Sequence, residues 1–253
     1  DVDVSVEMSR RAAFWSKVLP FVVFIWALTG AFYPAVDLCA GEKERGTLET
    51  LLSSPAERSE IVMGKLLTIM GFSSATSLLN LLSMAITGTA VIMLQPGQFP
   101  IGAPPPAAIF WLFLALFPIS ALFSALALAI AAFARSTKEG QYYLMPLLLI
   151  SLPLMILPML PAIEMNLGTS LVPITGMMLL LRALVEGHFA DVIVFAPPVL
   201  LVTGGCCYLA IRWAVDQFNN ESVLFRESER LDLGLWLRHV VRDRGDTPTV
   251  GQA

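Results

Sequence analysis

The chain has 253 residues, of which 56% are hydrophobic and only 14% charged, and its formal net charge is −4. A water-soluble domain needs about a quarter of its residues charged to cover its surface, so the composition excludes one. With a mean hydropathy of +0.73, the chain reads as an all-α polytopic membrane protein whose long apolar runs cross a bilayer as helices.

Residues 1–17 are polar and mixed, and Arg10, Arg11, Trp15 and Lys17 lie in their second half. They read as the end of an upstream external region returning to the membrane, and a start at Asp1 without Met suggests a piece of a longer chain. The first span covers about 18–38, with Pro20 and Pro34 inside it and Asp37 at its exit. About 20 apolar residues suffice to cross a bilayer core.

Residues 39–65 are the most charged run before the C-terminal tail. Gly46 and Thr47 offer a helix break and an N-cap, and Glu49 falls in the first turn, where negative charge suits the helix dipole. Leu48, Leu51 and Leu52 recur at three- and four-residue spacing and give that short helix an apolar face. Ser54-Pro55-Ala56-Glu57 reads as a capping box with Pro at the first helical position, restarting a helix. The unit is a surface helix, an elbow and a second helix that enters the membrane.

The second span, about 66–94, is longer than crossing requires. Gln95-Pro96-Gly97-Gln98 and Pro104-Pro105-Pro106 mark a turn and a short uncharged loop. A third span follows at about 107–133, with Trp111 near its start, then the charged loop Arg135 to Glu139. The fourth span, about 141–160, holds Pro146, Pro153 and Pro158, where kinks are expected. Pro161, Pro173 and Gly176 then interrupt the apolar run, leaving a stretch at 171–188 too short to cross. It reads as a re-entrant or interfacial helix with Arg182 and Glu186 one turn apart. The fifth span covers about 190–214, which closes a transmembrane unit of 18–214. In the tail, 215–253, Leu233, Trp236, Leu237 and Val240 lie opposite Arg238 and Arg242, as in an amphipathic surface helix.

With 39–65 inside, five spans run from an outside N-terminus to an inside C-terminus. Twelve of the sixteen Lys and Arg then fall inside: Lys43, Arg45, Arg58, Lys65, Arg135, Lys138 and six arginines from Arg212 onward. Positive charge favours the cytoplasmic side, so the count supports this orientation.

Catalytic chemistry finds little footing. Gly64-Lys65 lacks the upstream glycine and following Ser or Thr of a phosphate-binding loop. The two histidines, His188 and His239, fall on opposite sides in this topology. Neither a hydrolytic triad nor a metal site is expected, and nucleic-acid binding has no footprint beyond a modest basic tail. Cys39, Cys206 and Cys207 have no metal-ligand spacing and read as small hydrophobes. Ser73, Ser77, Asn80, Ser83 and Thr87 form one stripe along the second span. Interhelical packing is the reading favoured for it, with lining of a substrate path as the alternative.

The pattern Gly46-Thr47-Leu48-Glu49-Thr50-Leu51-Leu52-Ser53-Ser54-Pro55, preceded by Glu42 and Glu44 and followed by Gly64-Lys65 opening an apolar helix, resembles the cytoplasmic coupling segment of ABC-2 type exporter permeases. The similarity is greatest to the branch containing the sodium-extrusion permeases. The resemblance implies a permease working as a homo- or heterodimer in a bilayer, the plasma (inner) membrane of a bacterium. It implies a separate ABC ATPase subunit that carries ATP and Mg, with no cofactor on this chain. Coupling to that subunit would use Glu42, Glu44, Arg45, Gly46, Thr47, Leu48, Glu49, Leu51, Leu52, Pro55 and Lys65. The branch also carries a span and a large external domain before the region corresponding to residue 1, and a short outer helix before its last span. Glu221 to Arg230 is similar to the junction where such permeases are fused to a CPBP-type intramembrane protease. The alternatives are therefore the permease-like part of such a fusion, or a non-catalytic scaffold.

Overall fold

The computed structural model describes residues 2–94, 104–160 and 162–219, and the side chains among them except those of 2–11, 49, 52, 91–93 and 219. Among these residues the fold is all helical. The helices are α1 (Val2–Val36), α2 (Glu42–Glu44), α3 (Thr47–Leu52), α4 (Arg58–Leu94), α5 (Pro106–Ala131), α6 (Thr137–Ile156), α7 (Leu167–Ser170), α8 (Pro173–Glu186) and α9 (Phe189–Asn219). A π turn, Asp37–Gly41, joins α1 to α2, and a 3₁₀ turn, Leu157–Met159, ends α6.

Five helices are long and apolar enough to cross a membrane, those built on α1, α4, α5, α6 and α9. The 26 residues of α5 extend about 39 Å at 1.5 Å per residue, more than a hydrocarbon core of about 30 Å, and the 20 of α6 about 30 Å, which matches it. The bundle is built around α1 and α5, each of which packs against α4, α6 and α8, and against each other. Phe24 and Phe123 meet edge to face between them, with ring centroids 6.3 Å apart. On the perimeter, Leu67, Phe72, Leu79 and Ile86 of α4, Leu149 and Ile150 of α6, and Ile193, Leu201 and Leu209 of α9 are exposed. Apolar faces of this kind on membrane-length helices are the surface offered to lipid.

Several boundaries differ from those expected. Residues 2–17 are helical and continuous with the first span in α1. Helix α4 begins at Arg58, so the charged residues up to Lys65 already belong to it. Its start is not the expected Ser54 box. Ser54 closes a turn onto the Leu51 carbonyl, and the Glu57 amide donates to Glu60 Oε2 at 3.1 Å, the reach-back half of a capping box three residues later. Helix α6 begins at Thr137 because Ser136 caps it, accepting from the Glu139 amide at 3.3 Å, and it runs on through Pro146 and Pro153. The turn at 95–98 and the amphipathic tail helix lie outside the described residues.

The short helix α8 is enclosed by the bundle rather than lying on its surface. Residues 174–181 are all buried, and α8 packs against α1, α5, α6 and α9. Gly176 permits its close approach to α7: a Cβ there would lie 3.1 Å from the Ser170 and Thr169 carbonyl oxygens. Gly187, at φ +83°, ends the helix in the left-handed region that glycine tolerates.

The polar stripe of α4 splits along its length. Ser73 Oγ donates to the Ala27 carbonyl at 2.7 Å and Ser77 Oγ to that of Val23 at 3.3 Å, both in the seam with α1. Gly30 faces the same seam, where an added Cβ would meet Thr76 Cβ at 2.9 Å. Asn80 bonds only within α4, donating to the Thr76 carbonyl at 2.9 Å, and Ser83 and Thr87 are exposed. Packing on α1 accounts for Ser73 and Ser77, while Asn80, Ser83 and Thr87 make no bond to another helix among the described residues.

Candidate functional site

Three consecutive helical residues, Glu42, Lys43 and Glu44, follow the π turn. Successive helical side chains are about 100° apart, so these point in three directions. Glu42 pairs with Lys65 of α4, which also donates to the Leu38 carbonyl in the π turn. Lys43 Nζ donates to the Ala132 carbonyl at the C-terminal end of α5. Glu44 Oε2 accepts from the Thr137 amide at 2.8 Å and from its hydroxyl, at the N-terminal end of α6. The signs suit the sites, since a cation stabilises a helix C-terminus and an anion an N-terminus. Arg45 turns back to Asp37, a pair left 60% exposed on both sides and therefore worth little.

Gly46 then breaks the helix with φ +70°, and α3 begins. Leu48 is 4% exposed and belongs to the core, and Leu51 is half-buried. The apolar face expected to pack into a partner's groove thus starts, at Leu48, against this chain's own bundle. The side chains of Glu49 and Leu52 lie outside the described residues. Thr47, Thr50, Ser53, Pro55, Glu57 and Glu60 are exposed. Of the residues expected to couple, Glu42, Glu44, Arg45, Thr47 and Lys65 are held by partners within the chain, Thr47 by donating its hydroxyl to the Glu42 carbonyl at 3.3 Å, while Pro55 faces outward.

Sequence reading missed Thr137 and Phe218. The Ser136-to-Glu139 spacing, a capping box, was the available signal for where α6 starts and hence for Thr137. Nothing local marks Phe218, which is 1% exposed at the end of α9. Arg58 Nη1 donates to its carbonyl at 3.4 Å, and Lys65 Nζ lies 5.8 Å from its ring centroid.

A second polar cluster occupies the opposite end of the bundle. Glu186 Oε1 accepts from Ser16 Oγ at 2.8 Å and pairs with Arg182 Nε at 3.0 Å. Arg182 Nη1 also donates to the Pro158 carbonyl at 3.3 Å, and Thr175 Oγ1 donates to that of Leu154 at 3.0 Å. Helix α8 is thereby tied to α1 and to the end of α6. A cleft of about 370 Å³ opens beside this cluster, lined in part by Glu164, Leu179, Arg182 and Asp191.

Residues 4–195 match the family model described as ABC-2 family transporter protein. The chain belongs to the ABC-2 transporter family. The matched region of this ABC-2 protein runs from α1 into the first turns of α9, so both polar clusters fall within it except Phe218. It is similar to the ABC transporter permease protein NatB of Bacillus subtilis (strain 168), 28% identical over 138 residues. That alignment covers 54% of this chain and 36% of the relative, so the chain spans only about a third of that protein's length. No solved structure matches. An ABC-2 chain with five membrane-length helices is an integral membrane protein.

Proposed function

We propose that this chain is the membrane-spanning part of an ATP-driven exporter, and that its elbow, residues 39–65, receives a separate ATPase subunit on the cytoplasmic side. Substrate moves along a path formed with a second permease half, and the chain itself does no catalysis. The observation that carries this reading is the bracing of the elbow from within. Glu42, Lys43 and Glu44 engage α4, the end of α5 and the start of α6, which supports a braced lever over a soft connecting loop. A force applied at α3 therefore reaches three membrane-length helices instead of being absorbed by a soft connection. The exposed Thr47, Thr50, Ser53, Glu57 and Glu60 leave a hydroxyl and acidic strip for a partner to grip. Family membership and the similarity to a permease support the same reading.

The test is co-purification of the full-length protein with an ABC ATPase, using Glu49→Lys, Leu52→Asp and the double variant Glu57→Lys/Glu60→Lys. Each is expected to insert and fold, yet lose the ATPase or its stimulation. Wild-type binding and stimulation in all three would reduce the segment to a connecting loop and end this reading.

A further inference from the structure

Among the described residues, Lys65 alone of the charged side chains is buried, at 6% exposure. A cation so enclosed cannot meet a docking partner, so its place in the elbow needs another account. Its Nζ donates to Glu42 and to the Leu38 carbonyl, and it sits 5.8 Å from the centre of the Phe218 ring. Arg58, two turns earlier on the same face of α4, donates to the carbonyl of that same Phe218. The end of α9 is therefore held against the start of α4 from both its ring and its backbone.

We propose that Lys65 is a positioning residue that carries displacement of the elbow to α9, an inference that rests on the coupling reading above. A buried charge separated from its partner is strongly penalised, and a cation over a desolvated ring is attracted to it. Moving α4 while α9 stays in place would pull Lys65 off Phe218 and strain its pair with Glu42. It costs less for α9 to follow. Leu38 lies in the π turn and Glu42 directly follows it, so the exit of α1 moves with the same node.

The experiment is amide hydrogen exchange on the full-length protein with its co-purifying ATPase, with and without Mg²⁺ and a non-hydrolysable ATP analogue. In the wild type, nucleotide is expected to change exchange both at 47–57 and at 212–219. The double variant Glu42→Met/Lys65→Met replaces the pair with apolar side chains, a kind of exchange that commonly preserves stability. It is expected to keep the response at 47–57 and to lose that at 212–219. Lys65→Arg, which keeps the charge and stacks on rings, is expected to keep both. Both responses surviving in the double variant overturns the proposal. If no ATPase co-purifies, or nucleotide leaves 47–57 unchanged in the wild type, the coupling reading is what fails. A comparison without ATPase then decides the link. Exchange at 212–219 should rise several-fold in the double variant while that at 173–186 stays put, and an unchanged 212–219 overturns it.

Discussion

Glu42 at the end of the first span and Lys65 near the start of the second form an ion pair across 23 positions of sequence, and Lys65 is buried while Glu42 keeps 22% exposure. Removing one partner leaves the other charge uncompensated. Lys65→Met or Glu42→Ala is expected to destabilise the protein by about 3 kcal/mol or more, and the double methionine variant by much less. Thermal unfolding in one detergent compares the three. Equal losses in single and double variants would mean that the pair contributes through packing alone.

The seam between α1 and α4 makes a steric prediction. A side chain at Gly30 has nowhere to go, with Thr76 Cβ at 2.9 Å and Ser73 Cα at 3.0 Å from an added Cβ. Gly30→Val is expected to cost about 1–3 kcal/mol by overpacking. Ser73→Ala removes one interhelical hydrogen bond and is expected to cost about 0.5–1 kcal/mol. Asn80→Leu should stay within about 0.5 kcal/mol, because its amide bonds only its own helix. A cost for Asn80→Leu matching that for Gly30→Val would place Asn80 in an interface.

At the opposite end, Glu186 serves α1 and α8 at once through Ser16 and Arg182. Glu186→Ala leaves Arg182, 21% exposed, without its carboxylate. The expected loss is about 1.5–3 kcal/mol, against about 1 kcal/mol for Ser16→Ala. Thermal unfolding reads both. If Ser16→Ala proves the costlier, the bond from α1 matters more than the ion pair.

Sidedness is open to direct chemical labelling. Cysteines introduced at Gln98 and Lys138 are expected to react with an impermeant maleimide from opposite sides of the membrane, Gln98 from outside. Twelve of sixteen Lys and Arg inside is the basis for that orientation. Labelling of both from one face would remove the five-span arrangement.

The amino-acid sequence by itself determined the number of membrane-length helices, the break at Gly46, and the shortness of α8. Each depends on local quantities: the length of an apolar run measured against a bilayer, a glycine at a positive φ, a proline that interrupts. The Arg182 and Glu186 pairing was equally legible, because helical spacing alone brings such residues together. The tertiary structure decided which groups the charges meet. Nothing local shows that Lys43 and Glu44 reach the ends of α5 and α6, and Thr137 is 93 residues away from Glu44. Ser16 and Glu186 are 170 apart, and Arg58 and Phe218 are 160 apart. Leu48 turned inward and the stripe on α4 divided at Asn80 for the same reason. A hydropathy pattern says that a face is apolar or polar, but its neighbour is chosen by where distant helices cross.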